Sequence, residues 1–166
     1  MPERAAPGGR PLRVLALCLW NICRSPLAEA LVRRELAAAG VPAVVDSAGT
    51  ADWNVGRPAD PRSREVAQRH GLDLGGRARQ LTRQDVQAFD VILAMDAINA
   101  QDARALVAQA GGAAARVHLM REWDPEAPAA DVPDQYYGGL EGFEDVYRML
   151  ERSARGFAQA LRPPGP

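Results

Sequence analysis

The sequence predicts a single α/β domain in which a parallel sheet is covered by helices on both faces. Its 166 residues are 47% apolar and 25% charged, a balance typical of one globular domain with a substantial core. Short apolar runs alternate along the chain with stretches of helical periodicity. Strands and helices in alternation are typical of a parallel sheet between two helical layers, so we expect a three-layer architecture.

The predicted elements follow from local pattern. Four apolar runs are the predicted strands, and they cover 12–19, 43–46, 91–94 and 116–119. A helix is predicted over roughly 26–39, because Pro26 suits a first helical position and Gly40 can close the carboxyl end. A long final helix is predicted from apolar residues at helical spacings, namely Phe143, Val146, Tyr147, Leu150, Phe157 and Leu161.

The two ends of the chain have a different composition. Residues 1–10 and 162–166 are rich in Pro, Gly and Arg and have no periodicity, so both segments are predicted to be loose. The domain is therefore expected to span 11–161, without internal repeats.

Charge and cysteine content limit the expected partners and compartment. The formal net charge is -1, so the chain has no basic excess that would favour nucleic acid or an anionic membrane. Two cysteines are too few for the disulfide framework of a small secreted domain, which favours a reducing, cytoplasmic compartment. The apolar run 14–20 is too short for a signal peptide, and no stretch approaches the roughly 20 apolar residues of a membrane span.

Residues with catalytic potential concentrate where the first strand meets the first helix, in the segment 18–26 (CLWNICRSP). A tight loop at a helix amino end presents unpaired amides and the positive end of the helix dipole, which favour an anion such as phosphate. The same field favours the thiolate of Cys18, a nucleophile. Arg24 adds a planar fork that matches two phosphate oxygens, and Ser25 is placed to donate a hydrogen bond to the thiolate.

The spacing of Cys18 and Arg24 is a weak signal by itself, because all 20 basic residues are arginine. The surrounding sequence is more specific. CLWNICRSP resembles the phosphate-binding loop of the low molecular weight protein tyrosine phosphatases, whose usual form is CxGNxCRSP. The resemblance continues through DSAGT (46–50), DVILAMDAIN (90–99) and DVPDQYYGGLEGFEDVY (131–147), in the order typical of that family.

This resemblance implies a four-stranded parallel sheet and a two-step reaction through a phosphocysteine. Cys18 would attack phosphorus, while Arg24 and the loop would hold the phosphate oxygens. Asp134 would protonate the leaving phenol and later activate water. Asp124, which precedes a proline, is the rival acid, and the sequence around Asp134 is the more similar to the family. The remaining loop residues implied to contact phosphate are Leu19, Trp20, Asn21, Ile22, Cys23 and Ser25.

Further residues match supporting positions of the family. Asn21 and Ser47 match residues that brace the loop through hydrogen bonds. Cys23 matches a second cysteine that can form a reversible disulfide with the nucleophile, and a buried inert thiol is the equal alternative. Aromatic residues in polar segments are candidate walls for a flat phenyl phosphate, and these are Trp53, Tyr136 and Tyr137.

Three positions depart from the family pattern. Trp20 stands where the family usually has Gly, Gln135 where it has Pro, and Gly76 where it often has His. If the loop requires a positive φ at Trp20, the side chain strains the phosphate site; otherwise it lines the mouth of the pocket. Gln135 removes a rigid residue beside the acid.

The expected substrate is a phosphotyrosine protein or a small aryl phosphate, and the loop is expected to bind phosphate or sulfate. An arginine phosphatase of the same fold is one alternative. Members of that group resemble one another in carrying Thr at the position where this chain has Ile22, and the apolar Ile favours an aromatic substrate. A catalytically impaired phosphate-binding module is another. A thioredoxin-coupled arsenate reductase would need cysteines after Cys23, and there are none. His70 and His118 are isolated, so no metal site is expected. No cofactor is expected either.

Overall fold

The computed structural model describes residues 9–111, 114–134 and 139–162. Four strands alternate with α-helices, and a short 3₁₀-helix at Met120–Trp123 follows the last strand. The order is β1 (Leu12–Cys18), α1 (Arg24–Ala38), β2 (Ala43–Gly49), α2 (Pro61–Arg69), α3 (Arg83–Ala88), β3 (Val91–Ala94), α4 (Ala97–Ala110), β4 (Arg116–Leu119) and α5 (Leu140–Leu161).

The strands form one parallel sheet in the order β2-β1-β3-β4. In register, Leu17 of β1 lies opposite Ala48 of β2 and Ala94 of β3. The predicted four-stranded parallel sheet is therefore confirmed. β2 extends to Gly49, beyond its predicted end at Asp46, because it pairs with β1 as far as Cys18. Pairing across the sheet thus makes a strand of residues that have weak strand propensity.

Side chains of β1 alternate between two cores, as the pleat of a strand requires. Val14, Ala16 and Cys18 pack with α1 and α5, whereas Leu15 and Leu17 pack with α3 and α4 on the opposite face. Helices therefore cover both faces of the sheet, as predicted. β1 lies between β2 and β3, so the loop at its carboxyl end has a strand on each side.

α1 begins at Arg24, two residues before the predicted start, and Gly40 beyond its end adopts a φ of 74°. This left-handed conformation suits glycine and closes the helix. Arg24 and Ser25 are already helical, so both belong to the first turn of α1. The predicted stripe on α5 is confirmed, since all six of its apolar residues are buried.

No helix in the described part of the chain is long and apolar enough to span a membrane.

The final helix passes very close to the 3₁₀-helix at one glycine. A Cβ added at Gly156 would overlap the carbonyl oxygen of Trp123 and lie 2.9 Å from the Cβ of Trp123. We expect Gly156→Ala to lower the free energy of unfolding by about 1–3 kcal/mol, because overpacking outweighs the better helix propensity of alanine. Urea unfolding measures this loss. Gly75→Ala is the matched control, because a Cβ there meets no atom within 4 Å, and an equal effect of both substitutions would contradict the packing argument.

Candidate active site

The loop between β1 and α1 places Cys18 at the carboxyl end of the central strand, where the thiol is buried. Asn21 turns the loop with a φ of 57°, a conformation that asparagine tolerates better than most residues. Trp20 is not among the described non-glycine residues of positive φ, which are Asn21 and Ala129. Backbone strain at Trp20, one of two expectations from the sequence, is therefore absent.

Two hydrogen-bond donors lie against the sulfur of Cys18. The amide of Asn21 donates to Sγ at 3.2 Å, and Ser25 Oγ lies 3.0 Å from it. The side-chain amide of Asn21 donates to Ser25 Oγ at 2.7 Å, so the serine retains its own proton to donate onward. Donors around a sulfur favour its thiolate form, which is the nucleophilic one.

A chain of hydrogen bonds holds the loop from behind. Asn21 Nδ2 donates to Ser47 Oγ at 3.0 Å, and Ser47 in turn donates to Glu29 at 2.6 Å. The amide of Arg79 donates to Asn21 Oδ1 at 3.0 Å. Asn21 and Ser47 are thus hydrogen-bonded to each other behind the loop, and their role in bracing it stays a prediction. Glu29 and Arg79 were missed, because nothing local in the sequence links them to the loop.

The segment after β2 lies directly against the loop. Thr50 and Ala51 donate from their amides to the carbonyls of Cys18 and Leu19, both at 2.9 Å. A Cβ added at Gly49 would lie 2.8 Å from the carbonyl oxygen of Leu19. Only glycine permits this approach, so Gly49 fixes the distance between β2 and the loop.

Arg24 is only 3% exposed and has acidic and carbonyl partners on one side. Its Nη1 donates to Asp96 Oδ2 at 2.8 Å and to the carbonyl of Val132 at 3.0 Å. Burial alone would lower the pKa of Arg24, but Cys18, Asp96 and Asp134 outweigh it and raise that pKa. The guanidinium is therefore fixed in position and fully charged.

Asp134 reaches this site from far along the chain. Its Oδ2 lies 3.9 Å from Nη2 of Arg24, and its side chain is 38% exposed. The preceding residues fix the segment, because Val132 donates from its amide to Met95 and Asp131 accepts from the amide of Ala97. A carboxylate thus faces both the guanidinium and solvent at the mouth of the loop.

Asp124, the rival acid, has a different environment. It is fully buried and accepts from Nε of Arg121 and Nε of Arg152, both at 3.0 Å, and from the amide of Glu126 at 2.9 Å. Burial would raise the pKa of Asp124, but these hydrogen bonds, led by Arg152, hold it below its ordinary value. Such a carboxylate stays ionised and fully engaged, which favours Asp134 as the acid.

The second thiol is shielded. Cys18 and Cys23 are both free and buried. Burial, followed by the charge of Asp60, raises the pKa of Cys23 above its ordinary value, so this thiol stays protonated and unreactive. The geometry matches the inert alternative more closely than the redox one, and a disulfide with Cys18 stays a prediction.

The remaining candidates differ in burial and in their contacts. Ile22 is buried, and its carbonyl accepts from the amide of Asp60, which ties the start of α2 to the loop. Trp53 is exposed, and its ring centroid lies 6.2 Å from that of Trp20. Gly76, a departure from the family, has a φ of 79°, which favours glycine. Gln135, Tyr136 and Tyr137 lie outside the described residues.

The histidines have structural partners. His70 stacks on Tyr147 with centroids 3.8 Å apart and contacts Glu144. His118 contacts Glu122. Among the described residues, no group of three or more His, Cys, Asp or Glu side chains is arranged to hold a metal ion.

Asp96 is the main residue of the site that sequence reasoning missed. It caps α4, because its Oδ1 accepts from the amide of Asn99 at 2.8 Å, while Oδ2 binds Arg24. Its position two residues after the end of β3 was a usable signal, since the carboxyl ends of parallel strands meet at one edge of a sheet.

We expect Asp96→Asn to lower kcat/KM for an aryl phosphate about tenfold, because a charge-assisted hydrogen bond to Arg24 is lost. Asparagine is an equally good helix cap, so stability should change little, whereas Asp96→Ala should also destabilise α4. Steady-state kinetics with urea unfolding separate the two effects. If Asp96→Asn matched wild type in kcat/KM, Asp96 would have no role in positioning Arg24.

Comparison with known proteins agrees with this geometry. A family model described as low molecular weight phosphotyrosine protein phosphatase matches residues 13–164. A low molecular weight protein-tyrosine-phosphatase of Streptomyces coelicolor is 42% identical over 154 residues, which cover 90% of this chain and 93% of the relative.

Solved structures give the same result. A protein tyrosine phosphatase from Entamoeba histolytica, with Hepes in its active site, has a TM-score of 0.82 at 30% identity and covers 90% of this chain and 96% of its own. A Drosophila arginine phosphatase has a TM-score of 0.86 at 28% identity and covers 93% and 100%. The chain is thus an enzyme of the phosphoric monoester hydrolase class. It belongs to the low molecular weight phosphotyrosine protein phosphatase family.

Proposed function

We propose that this enzyme hydrolyses phosphotyrosine monoesters through a phosphocysteine intermediate. The observation that carries the proposal is the convergence of three groups at the end of β1. These are the sulfur of Cys18 among hydrogen-bond donors, the buried guanidinium of Arg24, and the carboxylate of Asp134 beside it.

In the first step, Cys18 Sγ attacks phosphorus, so that a sulfur–phosphorus bond forms as the bond to the phenol oxygen breaks. Arg24 and the amides of the loop hold the three non-bridging oxygens, where negative charge must be stabilised. The protonated carboxyl of Asp134 gives its proton to the departing oxygen, so the product leaves as a neutral phenol.

In the second step, water attacks phosphorus and the sulfur–phosphorus bond breaks. Asp134, now a carboxylate, takes a proton from the water, and inorganic phosphate is released. Ser25, whose Oγ lies 3.0 Å from Cys18 Sγ in the free enzyme, donates to the thiolate that departs from phosphorus. Both steps therefore use Cys18 and Asp134. At the end Cys18 is again a thiolate and Asp134 is again protonated, as at the start.

The proposed substrate is a phosphotyrosine-containing protein or a small aryl phosphate, encountered in the cytoplasm by the domain 11–161. Ile22 supports an aromatic substrate, because it adds an apolar side chain to the loop. The similarity to an arginine phosphatase keeps phosphoarginine as the second candidate. Comparing kcat/KM for phosphotyrosine and phosphoarginine peptides of one sequence distinguishes them.

The first test is hydrolysis of p-nitrophenyl phosphate by the full chain with a chelator present. We expect steady release of nitrophenol, and we expect inorganic phosphate to inhibit this hydrolysis competitively. An inactive protein that still binds phosphate would be the impaired phosphate-binding module, the non-enzymatic alternative.

A further inference from the structure

Large apolar side chains are exposed at few places in the described structure, and two of them lie in the segment that follows β2. Trp53 is 73% exposed and Val55 is 55% exposed. Both follow β2 in the segment whose start is hydrogen-bonded to the carbonyls of Cys18 and Leu19. An exposed indole contributes little to folding, so its position at a reaction centre is typical of a binding role.

Trp20 supports this exposed indole from within the loop. The two ring planes are tilted by 51° at a centroid distance of 6.2 Å, within the range of aromatic pairs. Trp20 also packs, half-buried, against the larger core. We name the surface formed by Trp20 and Trp53 the indole ledge.

The support from Trp20 has an energetic consequence. A side chain as exposed as that of Trp53 loses rotamer freedom when it binds a ligand, and this loss weakens binding. Contact with an anchored ring limits that freedom beforehand. Trp20 therefore both adds apolar surface to the ledge and holds Trp53 ready for contact.

The ledge lies next to the nucleophile. Trp20 is two residues from the nucleophile, and Trp53 is three residues from Thr50, whose amide binds the carbonyl of Cys18. A residue next to a phosphotyrosine held in this loop would therefore come close to these rings.

We propose that the indole ledge binds an aromatic or branched apolar side chain adjacent to the phosphotyrosine, and that Trp20 determines this specificity. The inference rests on the proposed phosphotyrosine phosphatase activity. An aromatic contact of this kind corresponds to about a tenfold preference over a small polar neighbour.

The test uses three phosphotyrosine peptides that differ only in the adjacent residue, which is Phe, Ser or Arg. The full-length wild-type enzyme should show a kcat/KM about tenfold higher for the Phe peptide than for the Ser peptide. Trp20→Gly should reduce this ratio to about twofold or less, whereas Trp20→Phe should keep most of it. The ratio cancels any loss of turnover that both peptides share.

Val44→Ala is the matched control, because Val44 is an exposed apolar residue on edge strand β2, and it should leave the ratio at the wild-type value. An unchanged ratio in Trp20→Gly would overturn the proposal, as would a wild-type preference for the Arg peptide.

Binding of the Phe and Ser peptides to the Cys18→Ser variant separates the ledge proposal from the proposed phosphatase activity. If the Phe peptide binds this variant more tightly than the Ser peptide while wild type hydrolyses neither, the ledge is supported and the proposed activity is wrong. If wild type hydrolyses both peptides and the two bind equally, the activity is supported and the ledge is wrong.

Discussion

Cys18→Ser should reduce hydrolysis of p-nitrophenyl phosphate by at least about 10⁴-fold, to the background rate. A serine hydroxyl must lose its proton to attack phosphorus, and the contacts at this sulfur come from donors. Asn21 supplies an amide and Ser25 a hydroxyl, and neither is a base. The site that stabilises a thiolate therefore cannot activate an alcohol.

Phosphate binding should persist in Cys18→Ser, because Arg24 and the loop amides remain. Calorimetry with inorganic phosphate measures this, and it shows that the loop is still folded. Cys23→Ser is the comparison variant, since that thiol is buried and protonated, and it should retain measurable turnover. Residual activity of Cys18→Ser within about tenfold of wild type would exclude the phosphocysteine route.

The parts of this protein that could be predicted from sequence are those encoded by nearby residues. The apolar run of β3, the stripe of α5 and the loop 18–26 are each continuous in the chain. Periodicity and helix-cap chemistry suffice to locate such elements. Their assembly into a parallel sheet follows from the alternation of strand and helix.

Contacts between distant segments could not be predicted in this way. The pairing of Asp96 with Arg24 joins residues that are 72 positions apart, and that of Ser47 with Glu29 joins β2 to α1. A carboxylate after a strand is also a common helix cap, so the sequence alone does not reveal its second partner. Likewise, it is Asn21 and not Trp20 that adopts a positive φ in the loop, which is a property of the folded backbone.

The two aspartates that sequence left as rivals should behave differently when substituted. Asp134→Asn should lower kcat for phenyl phosphate by about 10²–10³-fold, because the amide cannot protonate the leaving oxygen. The loss should be smaller for p-nitrophenyl phosphate, whose leaving group is more stable as an anion. Stability should change little, because the Asp134 side chain is partly exposed. Equal losses with both substrates would contradict a role in proton transfer.

Asp124→Asn should instead destabilise the fold. At neutral pH it leaves Arg121 and Arg152 without their buried carboxylate, so we expect a loss of about 2–4 kcal/mol in the free energy of unfolding. The pKa of Asp124 is lowered in the folded state, so its stabilisation is present above the unfolded value of about 4 and lost as pH falls through the folded pKa. The urea midpoints of wild type and Asp124→Asn should therefore converge on acidification. A leaving-group dependence of turnover in Asp124→Asn, without loss of stability, would transfer the acid role to Asp124.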